Sequence, residues 1–273
     1  MTPFIFFTMS LLATVTQVIK AYDLQIANIS VRLSAQAYCD IDTYNTMSFP
    51  SPAQGFQIDT VLHDTKSDMQ GYVGHFPSTH SDQTIYVVFR GSSSVRNWID
   101  DFEVLKTAYT SFAECADCNV HKGFYAMTLA LKSDVIQSIQ RLQYSHVIVT
   151  GHSEGAAVAQ LMCMELYAND IDCDVYNFGQ PRIGDPNYAT FVNRVIKNLF
   201  RFTHSKDIVP HVPPPEMNYQ HSCLEIYENE QHQLTSCIAC EDSSCADQYS
   251  LRETTTADHL LYLNYNITEC TRA

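Results

Sequence analysis

The chain has 273 residues, of which 45% are hydrophobic and 17% are charged. This length suits one large domain or two small ones, and the 11% of aromatic residues argue against an intrinsically disordered chain. The 30 acidic residues outnumber the 16 lysines and arginines, so the formal net charge is −14. Such a surface excludes nonspecific nucleic-acid binding, which needs clustered cations, and disfavours docking on anionic membranes.

The first segment of the chain indicates export. Residues 4–19 are mainly apolar, but threonine, serine and glutamine side chains interrupt them too often for a good membrane span. We predict a secretory signal peptide over residues 1–21, although no lysine or arginine precedes its apolar part; an uncleaved anchor is the alternative. We therefore expect a secreted protein with one domain over 22–273 and no integral membrane span.

Predicted helices and strands alternate along the rest of the chain. In chain order, hydrophobic periodicity predicts a helix over 23–38, an antiparallel pair of strands over 56–64 and 69–76, a strand over 84–90, a helix over 124–142, a strand over 146–150, a helix over 156–167, a strand over 174–179, a helix over 188–195 and strands over 198–203 and 224–229. The strands over 84–90 and 146–150 are continuous apolar runs, which is typical of strands covered on both faces. The pattern predicts an α/β fold with a mainly parallel central sheet flanked by helices.

All ten cysteines follow the apolar segment, and an even number in a secreted chain favours disulfides. The CxxC pairs at 115–118 and 237–240 also suit a zinc site or a redox site. The two pairs lie too far apart for a typical zinc finger, and CADC does not open a helix after a strand, so we expect neither a zinc site nor a redox site at these cysteines. Asn28 and Asn266 begin N-x-S/T sequons and are candidate glycosylation sites.

The most informative motif is the G-x-S-x-G over residues 151–155. It lies between a predicted buried strand and a predicted helix of small residues, which is the context of a nucleophile elbow that presents Ser153 in a sharp turn. Glycines fit there because a Cβ would clash in so tight a bend. An ordinary strand–helix turn is the alternative. The adjacent His152 points away from Ser153 in this interpretation and packs in the interior.

A serine hydroxyl needs a base to become a nucleophile, and in this architecture the chain order is serine, acid, histidine. Asp207 follows a predicted strand and is our choice for the acid; Asp185 is better placed to cap a helix. Four histidines follow the acid: His211, His221, His232 and His259. We choose His259 as the base and keep His221 as the second candidate.

With these residues in place, the chain resembles a known family. Five strings in this order, VVFRGSSSVRNWIDD, VTGHSEGAAVAQ, YNFGQPRIGD, FTHSKDIVPHVPP and DHLLYL, resemble the fungal-type class 3 lipases over about residues 24–270. The resemblance implies a disulfide-bonded α/β-hydrolase fold and hydrolysis of carboxylic esters without a cofactor. Ser153, Asp207 and His259 match the catalytic triad of that family.

The resemblance also extends to the cysteines. It pairs Cys39 with Cys270, which would tie the first helix to the C-terminal segment, and it matches Cys115 and Cys118 to a short disulfide loop. The other six cysteines remain unassigned, with Cys240–Cys245 as our one suggestion among them.

The elbow departs from the family at the residue after the nucleophile. By resemblance, the oxyanion hole is formed by Ser92 and by the backbone N–H of that next residue, which is usually apolar but is Glu154 here. The N–H can still donate. A carboxylate, however, would repel an oxyanion at 4 Å by about 4 kcal/mol at an effective dielectric near 20. Glu154 must therefore point away or be protonated, or else catalysis is weak.

A short amphipathic segment follows Ser92. Val95, Trp98, Ile99 and Phe102 recur at helical spacing and form one apolar face, with polar and charged residues opposite. Its position and the family resemblance predict a lid over the site. The alternative is a surface helix that stays packed on the core.

From these features we expect a secreted serine esterase acting on lipid esters, foremost triacylglycerol, at a neutral or zwitterionic interface. We expect a monomer without metal or cofactor. The alternatives on the same fold are a phospholipase A1, a feruloyl-type esterase and a catalytically weak lipid-binding homologue.

Overall fold

The computed structural model describes residues 21–77, 84–100, 104–142, 144–267 and Cys270. The signal peptide predicted over 1–21 lies outside these residues apart from Ala21. Within the described residues, no helix combines the length and the apolar character that crossing a bilayer requires.

The chain forms helices and strands in an alternating order. The helices are α1 (Leu24–Gln36), α2 (Val95–Asp100), α3 (Lys122–Arg141), α4 (Glu154–Tyr167) and α5 (Pro186–Val195). The strands are β1 (Gln57–Asp64), β2 (Met69–His75), β3 (Thr84–Phe89), β4 (Lys106–Ala108), β5 (Asn119–His121), β6 (His146–His152), β7 (Asp174–Phe178), β8 (Leu199–His204), β9 (Glu225–Glu228), β10 (Leu234–Cys237), β11 (Leu261–Tyr262) and β12 (Tyr265–Asn266).

Eight of these strands form one sheet in the order β1-β2-β3-β6-β7-β8-β9-β10. The pairs from β3 through β9 are parallel, and the pairs β1/β2, β2/β3 and β9/β10 are antiparallel. The predicted mainly parallel sheet is confirmed. The sequence patterns did not predict β4, β5, β10, β11 or β12, which have two to four residues and, unlike β9, carry no distinct apolar pattern.

The sheet separates two apolar layers. Alternate residues of β3 face opposite sides: Val87 and Phe89 pack with α3 and α4, whereas Tyr86 and Val88 pack with α1 and an aromatic cluster. Because both faces are covered, the strand has no polar side and its sequence is continuously apolar. The same covering leaves the carboxyl ends of the parallel strands as the edge at which polar side chains can gather.

The ten cysteines form five disulfides: Cys39–Cys270, Cys115–Cys118, Cys163–Cys173, Cys223–Cys240 and Cys237–Cys245. The first two are the pairs that the resemblance implied. The suggested Cys240–Cys245 pair is wrong. Cys237, the last residue of β10, is bonded to Cys245, and Cys240 is bonded to Cys223. With every cysteine in a disulfide, neither CxxC pair is available to hold zinc.

The two sequons lie in different surroundings. Asn28 lies inside α1, where its side-chain amide donates to the Leu24 carbonyl at 2.8 Å, and Ser30 of the same sequon is fully buried. Asn266 lies half-buried in β12, and the threonine of its sequon is outside the described residues. Glycosylation of either asparagine stays a prediction, with Asn28 disfavoured because modified asparagines lie in accessible loops.

Candidate active site

Ser153 occupies a sharp turn between β6 and α4. Its backbone has φ 58° and ψ −129°, a conformation that residues other than glycine rarely adopt. The turn is held by a hydrogen bond from the Ser153 N–H to the Phe178 carbonyl at 2.9 Å, and the Ala156 N–H donates to the Ser153 carbonyl at 3.0 Å. This strained strand–turn–helix geometry is that of a nucleophile elbow, not that of an ordinary turn.

The glycines on either side of the elbow are required by close approach. A Cβ built on Gly151 would lie 2.4 Å from the backbone of Gly155, and one built on Gly155 would lie 2.4 Å from the Phe89 carbonyl oxygen. The strand and the helix can therefore meet at this angle only without side chains at these two positions.

Asp207 and His259 meet beside the elbow. The His259 Nδ1 lies 2.8 Å from the Asp207 Oδ2, so Nδ1 carries the proton and Nε2 keeps its lone pair. The other carboxylate oxygen accepts the Val209 N–H at 2.8 Å, and the Tyr262 hydroxyl also donates to Oδ2. Burial raises the pKa of Tyr262 well above its usual range, and the Asp207 charge adds to this, so the phenol remains a donor.

Two buried polar atoms at this point lack any hydrogen-bond partner among the described residues. They are the Ser153 Oγ and the His259 Nε2, both in side chains that are fully buried. Unpaired buried polar atoms are rare in proteins because each loses its hydration without compensation. Here they are a hydroxyl and a basic nitrogen, which are the two atoms that a serine hydrolase pairs during reaction.

The rival acid and base candidates have other partners. Asp185 caps α5 by accepting the Tyr188 N–H at 2.9 Å. His221 approaches the Pro210 carbonyl through Nε2 at 2.8 Å, and burial holds its pKa well below its usual range. Neither side chain contacts His259 or Ser153 in the hydrogen bonds of the described residues.

His152 joins the nucleophile strand to the histidine segment. Its Nδ1 lies 2.6 Å from the Tyr38 hydroxyl and its Nε2 lies 2.8 Å from the His259 carbonyl oxygen. Burial lowers the pKa of His152 well below its usual range, and the nearby His259 acts in the same direction, so the ring is neutral. With both nitrogens engaged, His152 is unsuited to be the base. The roles of Tyr38 and Tyr262 were not predicted: Tyr38 lies in none of the five strings, and Tyr262 lies in DHLLYL without a pattern that marks it as a partner of Asp207.

The backbone after β3 runs directly against the nucleophile. A Cβ built on Gly91 would lie 2.8 Å from the Ser153 Cβ, which places the next residue, Ser92, beside the elbow. Glu154 is the first residue of α4, so its N–H has no acceptor within the helix. The two residues predicted to supply the oxyanion hole are therefore both near Ser153 in the fold, and their role in binding an oxyanion stays a prediction.

The carboxylate of Glu154 turns toward α2. Trp98 donates its indole N–H to the Glu154 Oε1 at 3.2 Å. Burial raises the pKa of Glu154 to about 6, although the Trp98 hydrogen bond and the Arg90 charge oppose the shift. Both expectations for this side chain are met in part: its carboxyl group turns toward Trp98, and its raised pKa favours the protonated form.

Helix α2 contacts the starts of α3 and α4 through Trp98. Trp98 stacks on Phe124 with ring centroids 6.3 Å apart, and Ile99 lines a cavity of about 310 Å³. A larger cavity of about 640 Å³ is lined by Ser92 and by residues next to His259, among them Ala257. Of the predicted lid face, Phe102 and the side chain of Val95 lie outside the described residues.

The position of Glu154 leads to a prediction about pH. In Glu154→Gln the amide oxygen can still accept from Trp98 but the charge is gone. Because the wild-type carboxyl ionises near pH 6, the ratio of variant to wild-type kcat/KM should be near one at pH 5 and rise severalfold by pH 8. The measurement is a pH profile of both proteins on one ester.

Glu154→Leu serves as the comparison, since it removes both the charge and the hydrogen bond. If both variants gain activity alike, the charge alone limits the wild type. A pH-independent loss in Glu154→Gln would contradict the prediction and show that the carboxylate assists the reaction.

The structure has a mainly parallel sheet, a serine with positive φ after β6, a carboxylate after β8 and a histidine near the C-terminus. These features define an α/β-hydrolase with a serine-triad geometry. A family model described as lipase (class 3) matches residues 86–217. A lipase of Rhizomucor miehei is 34% identical over 202 residues, which are 70% of this chain and 55% of that protein.

Solved structures agree over most of the chain. A triacylglycerol lipase with a serine protease triad as its catalytic centre superposes with a TM-score of 0.79 at 29% identity, covering 90% of this chain and 96% of that one. The mono- and diacylglycerol lipase of Aspergillus oryzae gives a TM-score of 0.80 at 25% identity, covering 92% and 100%. The chain belongs to the class 3 lipase family. It spans about half the length of the curated relatives it matches.

Proposed function

We propose that this chain is a serine esterase that hydrolyses lipid esters, foremost triacylglycerol, through an acyl-enzyme. The observation that carries the proposal is the pair of unpaired buried atoms, the Ser153 Oγ and the His259 Nε2, at a strained elbow. Relatives named as triacylglycerol lipase and as mono- and diacylglycerol lipase support acylglycerols as the substrate class.

In this mechanism the Ser153 Oγ attacks the ester carbonyl carbon while the His259 Nε2 takes its proton. Asp207 holds the imidazole in the required tautomer and stabilises the imidazolium that forms. The backbone N–H of Glu154 and the N–H of Ser92 donate to the oxyanion. His259 then returns the proton to the departing alcohol, and water repeats the sequence on the acyl-enzyme to release the acid.

Helix α2 acts as a lid in this proposal. Ser153 and His259 are both 0% exposed, so an ester reaches them only after a covering element moves. The Trp98–Glu154 hydrogen bond holds α2 against α4, and the Trp98–Phe124 stack holds it against α3. At an oil surface the apolar face of α2 would gain about 25 cal/mol for each Å² removed from water, which offsets the loss of these contacts.

The setting of the reaction follows from charge and compartment. The net charge of −14 favours neutral or zwitterionic interfaces, and we infer a monomer. Five disulfides and relatives that include a secreted mono- and diacylglycerol lipase support secretion after removal of a signal peptide over residues 1–21.

The test is hydrolysis of tributyrin across its solubility limit, beside phosphatidylcholine vesicles and a soluble feruloyl ester. We expect a low rate on dissolved tributyrin and a steep rise once droplets form. Trp98 is the single tryptophan of the chain, so its fluorescence should shift when droplets are added, as the indole leaves Glu154 and Phe124.

The rival activities give different results in the same experiment. Preference for phosphatidylcholine would indicate a phospholipase A1. A rate that saturates below the solubility limit, without a fluorescence change, would contradict the lid proposal and favour an esterase for soluble esters. Failure of a fluorophosphonate to label Ser153 in the presence of droplets would leave a lipid-binding homologue.

A further inference from the structure

A second cluster of chemically reactive side chains lies outside the triad, at the carboxyl ends of β8 and β9. His204 and Glu228 are register partners across this parallel pair, and His232 follows Glu228 by four residues in the turn after β9. One potential ligand atom from each of the three residues lies within 4.8 Å of the other two. The cluster thus combines two imidazoles and one carboxylate around a single point.

His204 is held in an orientation that suits metal binding. Its side chain is buried, and its Nδ1 lies 3.0 Å from the Asp258 carbonyl oxygen. A carbonyl can only accept, so Nδ1 carries the proton and Nε2 retains the lone pair. Histidine ligands in metal sites are typically fixed this way, by donating the other ring N–H to a carbonyl or carboxylate.

The carboxylate of Glu228 is positioned from both sides. It is 1% exposed, its Oε2 accepts the Leu263 N–H at 2.7 Å, and its Oε1 lies 2.7 Å from the His232 Nδ1. The His232 side chain is 37% exposed, which opens a path from solvent to the cluster. One ligand of the three is therefore reachable while the other two are pre-oriented.

We propose that His204, Glu228 and His232 bind a divalent transition-metal ion of the zinc class. Two imidazole nitrogens and one carboxylate oxygen are a recurring ligand set for zinc, with water in the remaining position. Magnesium and calcium prefer an all-oxygen set and do not match two imidazoles. In the metal-bound form the ion would replace the direct contact of 2.7 Å between the His232 Nδ1 and the Glu228 Oε1.

The bound ion would support the triad without taking part in the reaction. The Asp207 N–H donates to the His204 carbonyl at 2.9 Å, and Leu263 belongs to the turn between β11 and β12, just after His259. A metal at the cluster would therefore connect the loop that contains Asp207 to the segment that contains His259. Metal binding should raise the melting temperature and slow hydrogen exchange in both segments.

The experiment is calorimetric titration of Zn²⁺ into the EDTA-treated full chain, with Co²⁺ absorption as a second readout of the ligand geometry. We expect one Zn²⁺ per chain and a higher melting temperature. His232→Ala, a change at an exposed side chain, should weaken Zn²⁺ binding by about 100-fold or more. Its melting temperature without metal should be close to that of the wild type.

The matched control is His75→Ala. His75 lies 2.6 Å from the Asp59 carboxylate, in the same kind of pair, but no third ligand of the described residues completes that site. This variant should bind Zn²⁺ as the wild type does. Equal losses in the two variants, no saturable Zn²⁺ binding by the wild type, or binding unchanged in His232→Ala would each overturn the proposal.

Discussion

Replacing Ser153 with alanine is expected to lower kcat for ester hydrolysis by on the order of 10⁶-fold, or about 8 kcal/mol of activation free energy. The side chain supplies the nucleophile, and no other residue of the elbow, 151–155, carries a hydroxyl that could replace it. The melting temperature should stay unchanged or rise slightly, because the lost hydroxyl is buried without a partner among the described residues. Initial rates and thermal unfolding are the measurements.

The control is Ser205→Ala. Ser205 is also buried, also has a positive φ, of 43°, and also carries a hydroxyl without a hydrogen-bond partner among the described residues. It should retain most of the activity, which separates loss of the nucleophile from loss of a strained serine. His259→Ala should be as inactive as Ser153→Ala. Loss of activity in His221→Ala with activity kept in His259→Ala would show that the base is misassigned.

Removing the Cys39–Cys270 disulfide should have the largest effect on stability. The two residues are 231 positions apart, and a chain-entropy estimate for so long a loop gives about 5 kcal/mol. For a domain of this size that corresponds to a fall of roughly 10–20 °C in the melting temperature. Thermal unfolding of the double variant Cys39→Ser/Cys270→Ser measures it.

The comparison is Cys115→Ser/Cys118→Ser, which opens a loop with a sequence separation of only 3. The same estimate gives less than about 2 kcal/mol, so this double variant should unfold closer to the wild type. Equal losses in the two double variants would mean that local packing of the sulfurs, and not loop closure, sets the stability. Peptide mapping of the unreduced protein verifies all five pairs beforehand.

The stability of α1 depends on contacts that the disulfide reinforces. Its buried face packs on the aromatic layer behind β6 and β7, and its N-terminus is capped by Asp23, which accepts the Gln25 N–H at 2.7 Å. Tyr38, two residues after the helix, then reaches His152 beside the nucleophile. Loosening of α1 in the double variant should therefore also lower activity at temperatures below unfolding.

The amino-acid sequence by itself determined the succession of helices and strands, the mainly parallel sheet and the order of Ser153, Asp207 and His259. These features depend on periodicity within about ten residues, on the glycine requirement of a sharp turn and on the way parallel strands gather their carboxyl ends. The periodicity and the turn signals can be read from residues that are close together in the chain. The choice of His259 over His221 did not depend on the resemblance of five strings to one family, which then matched that choice.

Only the tertiary structure decided which distant side chains meet. Tyr38 and His152 are 114 positions apart, Trp98 and Glu154 are 56 apart, and the residues that surround Glu228 come from three separate segments. The pairing of Cys223 with Cys240 likewise follows from the path of β9 and β10. Such contacts leave no periodic trace in the sequence, because they depend on how the packed sheet and its loops bring remote segments together.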